Sequence, residues 1–69
     1  MRTKTAILSI QDLTSETIPA LREILKAVPG VESVDFSPER SVAVIEFDPQ
    51  QSEVDTLLRA VLKAGYKVL

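Results

Sequence analysis

Asp12, Thr14, Ser15, Glu16 and Thr17 put two carboxylates and three hydroxyls into six residues, just ahead of an amphipathic stretch. Three chemistries suit such a group. Oxygen ligation of a hard cation would need more donors, since Ca²⁺ takes six to eight oxygens and draws on several clustered carboxylates. Anion binding at a helix N-terminus favours glycine for close backbone approach, and this stretch has none and carries two acids. Helix capping asks least: Thr14 or Ser15 covers a free N–H, while Asp12 and Glu16 sit well against the helix dipole. Tyr66, directly after Gly65, is expected to pack over the end of the core. Cys, His, Trp and Asn are absent. No thiolate or imidazole donor exists, and no Ser–His or Cys–His pair can form. The sequence therefore assigns no catalytic residue, no cofactor-binding residue and no metal ligand.

The elements that must position this loop follow from periodicity. Over residues 3–10, Ala6, Leu8 and Ile10 alternate with Thr5, Ile7 and Ser9, which predicts a strand with one buried face. Ile18, Leu21, Leu25 and Val28 form one helical stripe, with Ile24 beside it. Pro19 fits only near a first turn, so this helix begins no earlier than about Thr14, and Pro29-Gly30 ends it. A second strand over 31–37 carries Val34 and Phe36 on one face. Residues 37–40 turn, and a third strand over 41–47 carries Ala43, Ile45 and Phe47 inward. A second helix runs from about Gln50 or Ser52 to Ala64 on Val54, Leu57, Leu58, Val61 and Leu62, with Asp55, Arg59 and Lys63 opposite at i, i+4 spacing. Tyr66–Leu69 are predicted to form a fourth strand. The order β-α-β-β-α-β predicts an α+β, ferredoxin-like sandwich: a four-stranded antiparallel sheet with both helices on one face, one domain over residues 1–69. If Ala43 and Ile45 face the helices, then Val42 and Val44 face away beside Ile7. That aliphatic group is the candidate interface.

The chain has 69 residues, 45% of them hydrophobic, and a net charge of −2. A domain this small buries only about 60% of its unfolded surface, so most apolar residues are needed in the core. The charge gives no reason to bind nucleic acid or an anionic membrane. Stacking aromatics on the central strands, which an RNA-binding sheet would use, are missing. No apolar run approaches the about 18 residues of a membrane span. A cytoplasmic location is the expectation.

"VPGVESV" at 28–34, "VIEFDP" at 44–49 and "AGYKV" at 64–68 resemble the wording of the heavy-metal-associated domain, the βαββαβ module of copper and zinc chaperones and of metal-pumping P-type ATPases. The resemblance is close from Ile18 to Val68. It implies that Leu13 takes the buried role of the family's Met and that Tyr66 matches the aromatic beside its metal loop. The family's Gly-Met-x-Cys-x-x-Cys is not present. Counted back from the helix, Thr14 and Thr17 stand at the cysteine places; counted forward from the strand, Ser15 and Ile18 do. The loop is a degenerate metal loop, and the implied role is a non-enzymatic docking or regulatory domain in metal-ion trafficking, for example the N-terminal cytosolic domain of a metal-transporting P-type ATPase. Its partners would be another protein or other domains of the same chain, or a second copy held weakly. The rival is a dimerisation or small-molecule-sensing module like the ACT domain, with no link to metal.

Overall fold

A computed structural model describes residues 2–69. Strand β1 spans Lys4–Ser9, helix α1 Ile18–Lys26, strand β2 Val31–Ser37, strand β3 Val42–Phe47 and helix α2 Val54–Lys63. The sheet order is β1-β3-β2, antiparallel throughout, with Ile7 opposite Val44, Ala6 opposite Ile45 and Val34 opposite Ile45 on the other side. Ala6, Leu8, Ile10, Val34, Ala43, Ile45 and Phe47 from the sheet meet Leu21, Leu25, Leu57 and Val61 from the helices in one core. The α+β, ferredoxin-like architecture expected from the pattern is present.

The sheet has three strands among the described residues, not the four expected. Tyr66–Leu69 contribute a single bridge, Ile10 to Val68, closed by Gln11 N–H to Lys67 O at 2.8 Å and Leu69 N–H to Ser9 O at 2.9 Å. The chain is committed elsewhere until Tyr66, whose N–H still bonds Val61 O at the end of α2. Residues 67–69 then run alongside β1 and make this one bridge.

Other boundaries move for physical reasons. α1 begins at Ile18, later than its expected caps: Thr14 O accepts from both Thr17 N–H (3.1 Å) and Ile18 N–H (3.0 Å), forming a turn ahead of the helix. Thr17 is the N-cap residue, and neither Thr14 nor Ser15 caps α1. Pro19 sits in the first turn, as expected. The β2–β3 turn occupies 38–41, with Ser41 at φ 58. β2 carries a bulge between Val31 and Ser33. Strict alternation from Val34 would point Glu32 at the core; the extra residue lets Val31 pack there and leaves Glu32 exposed. On α2, Leu57 and Val61 are buried, but Val54 and Leu62 are about half exposed, at 48% and 49%. The apolar stripe of α2 is wider than the surface available to cover it. Phe36 stays on the core face but is only partly buried, with the Arg22 guanidinium 5.6 Å from its ring centroid.

Candidate functional site

The loop between β1 and α1 hangs from one apolar anchor. Leu13 is buried at 5% exposure, as expected of a residue in the buried role of the family's Met. The chain enters it through Asp12 at φ 59, a left-handed conformation that Asp tolerates better than most side chains. Thr17 then closes it. Its Oγ1 accepts the Thr14 N–H at 3.0 Å, and its own hydroxyl hydrogen lies within reach of Thr14 O (3.1 Å) and Asp12 O (3.3 Å). Thr14, Ser15 and Glu16 are exposed around it. The Gln11 N–H bond to Lys67 O ties this loop to the last segment. Between them lies a cleft of about 260 Å³ lined by Gln11, Asp12, Thr17, Gly65, Tyr66 and Lys67. Tyr66 is half-buried against the core and borders the loop.

The donors here are oxygens alone. Cu(I) and Zn(II) select thiolate and imidazole, and a neutral threonine hydroxyl already engaged with three backbone groups is a poor replacement. No group of three His, Cys, Asp or Glu gathers anywhere among the described residues. Asp12 and Glu16 thus have no third carboxylate beside them. The donor set does not fit a soft metal ion.

On the open side of the sheet, Ile7 lies directly across from Val44, and Val42 is two pairs along, opposite Ser9. Ile7 is 67% exposed; Val42 and Val44 are half-buried. Their other pairing partners are Ser9, Asp35 and Ser37, and the Thr5–Glu46 pair lies next on the same face. The three expected patch residues are therefore brought together, as a small aliphatic group with a polar border.

At the far end, a cluster escaped sequence reading. Asp48 accepts the Gln50 N–H at 2.9 Å and the Gln51 side-chain amide at 3.1 Å, and both bonds hold its carboxyl below the usual carboxylate value, the backbone bond more strongly. Its own N–H bonds Gly30 O at 2.8 Å, and the Ser52 hydroxyl donates to Pro29 O. An acid two residues ahead of a free N–H, Asp48 before Gln50, was the available signal for the turn.

The structure is a βαββα sandwich whose last segment adds a single bridge and whose first loop stands at the mouth of a cleft beside Tyr66. Residues 7–67 match the heavy-metal-associated domain, and the chain belongs to that family. It is 34% identical over 65 residues to the mercuric transport protein periplasmic component of Alcaligenes sp, covering 93% of this chain and 71% of the relative. Among solved structures it is similar to oxidized MerP from Ralstonia metallidurans CH34, at 32% identity and TM-score 0.89, covering 99% of this chain and 96% of that one. It is also similar to the N-terminal domain of a potential copper-translocating P-type ATPase from Bacillus subtilis, at 25% identity and TM-score 0.86, over 97% and 85% of the two chains. Family membership decides against an ACT-like module unrelated to metal. The expected cytoplasmic location is overturned, because the relatives at 34% identity are named as periplasmic components.

Proposed function

We propose that this domain is a non-catalytic docking module of heavy-metal-ion handling that works in the periplasm without carrying the ion itself. One observation carries the reading: at the family's metal loop, Thr17 ties the loop to its own backbone and no soft donor is within the fold. The relatives' names support the setting and point to mercuric ion as the cargo of the system. The form of a pump's N-terminal domain has less support, resting on 25% identity against 34%. The surface offered to a partner is Ile7, Val42 and Val44 on the open sheet, where no side chain is needed for the core.

The experiment is complementation. A host strain lacking the coding sequence should lose tolerance to mercuric ion. A gene carrying Thr14→Ala and Thr17→Ala should restore it, and one carrying Val44→Lys should not, although its product folds. Unchanged tolerance in the deletion strain contradicts a role in metal handling. Failure of the double alanine gene, with a folded product, returns the function to the loop.

A further inference from the structure

The two faces of the fold carry charge differently. On the helical side acids and bases are interleaved: Arg22, Glu23 and Lys26 on α1, and on α2 Asp55 and Arg59, joined by an ion pair of 3.0 Å. The three strands contain one base, Lys4, and it lies opposite buried Phe47, so it shares the helical face. The open face has acids instead. Asp35 pairs directly with Val44, and Glu46 follows Val44 by two residues on the same side of β3. Glu46 lies opposite Ser33, which makes Asp35 its diagonal neighbour, about 7–8 Å away. Both are exposed, and neither has a basic partner among the described residues.

We infer that the open face receives a basic, aliphatic segment of another protein, one that sets two lysine or arginine side chains about 7 Å apart among aliphatic residues. That spacing is the one an extended segment gives to residues i and i+2, which share a face. Val44 touches both halves of the surface: it pairs with Ile7 on one side and with Asp35 on the other, so one segment meets the aliphatic group and the carboxylates together. Charge chooses among occupants, because like-charge contact suppresses wrong partners. A second copy laid face to face would bring its own Asp35 and Glu46 to the contact, four carboxylates with no base. Anionic membrane and nucleic acid are repelled in the same way. A metal ion lacks donors, since no third His, Cys, Asp or Glu joins these two among the described residues. Cationic side chains alone neutralise the pair and leave Ile7, at 67% exposure, to be covered. The surface is small, so the complex is transient and weakened by salt.

The inference rests on the reading of this face as the docking surface, and adds the chemistry of the partner. It is tested by amide chemical shifts of the 69-residue chain titrated with the peptide acetyl-Leu-Leu-Lys-Lys-Lys-Lys-Leu-Leu-amide. Extended, either face of this peptide presents two adjacent lysines between leucines. Shifts should centre on Ile7, Asp35, Val44 and Glu46. Asp35→Asn with Glu46→Gln should weaken binding at least tenfold. Glu23→Gln with Asp55→Asn removes the same charge from the helical side and should weaken it less than threefold. The peptide with glutamate in place of lysine should not bind. No binding of the lysine peptide at millimolar concentration overturns the inference, and so do shifts centred on the helices or equal losses in the two double variants. Failure here is separable from failure of the docking reading: if the double variants bind alike while the Val44→Lys gene still fails to restore ion tolerance, only the charge of the partner is wrong.

Discussion

The two ends of the sandwich are held by different means. At the end formed by residues 29–31 and 48–52, polar side chains are enclosed: Asp48 is 9% exposed and Ser52 6%, and each bonds a neighbouring segment or turn. At the end formed by residues 11–17 and 65–67, the polar side chains are exposed or half-exposed, and the tie between the segments is backbone to backbone, Gln11 to Lys67. Only buried Leu13 anchors the loop from within. A fold secured at the opposite end leaves the loop free to change its polar residues at little cost. That is how a member of a metal-binding family can keep the sandwich without the cysteines.

The comparison breaks if the far end proves tolerant. Phe47→Ala should cost about 3–5 kcal/mol, the range for a buried phenylalanine, because Phe47 is 1% exposed at the point where β3 enters that end. In a small domain this approaches the whole stability. Urea unfolding measures it, and a mutant that melts near wild type would mean the strand faces are inverted. Gly30→Ala and Gly65→Ala sharpen the contrast, since both glycines hold positive φ, 87 and 98. A Cβ on Gly30 would sit 2.7 Å from the Gln51 Cβ and 3.3 Å from Asp48 O, whereas one on Gly65 meets nothing within 4 Å. Left-handed strain alone is worth about 1–2 kcal/mol, the expected loss at Gly65; Gly30 adds overpacking for roughly 2–4 kcal/mol. Equal losses would show that the far end yields as easily as the loop end.

Thr17→Ala removes the side chain that closes the loop, and about 1 kcal/mol is expected, the net worth of a hydrogen bond that water partly replaces. A loss as large as that of Gly30→Ala would contradict a lightly held loop. The smallest effect is in acid. Asp48 has a lowered folded pKa against an ordinary value of 3.8. Its contribution is complete above 3.8 and is lost as pH falls from there through the lowered value. Asp48→Asn should therefore flatten the fall of the melting temperature below about pH 4.

Much of the fold could be read from period alone. Leu21 and Leu25 on α1's stripe, Val28 just past its end, and Ala43, Ile45 and Phe47 at alternate positions of β3 are buried as their spacing required. The bulge at Glu32 could not be read, because which of Val31 and Glu32 faces the core depends on the partner strand. Val54 and Leu62 carry the α2 period yet lie beyond the width of the surface beneath, which no single helix reveals. The last segment has strand-like residues, but its pairing is decided by how far along β1 it comes to lie. At the site, Leu13 and Tyr66 took their places beside the loop, whereas Thr17's inward bonds needed the backbone path set by Asp12 at positive φ.

The central claim is that the loop is complete without metal. Calorimetric titration of mercuric ion into the purified domain, repeated with Cu(I) under reducing conditions, tests it most directly. The expected result is no stoichiometric binding and a melting temperature unchanged by the ion or by a chelator, because a ligand that binds only the folded state must raise stability. A one-to-one complex that raises the melting temperature would contradict it.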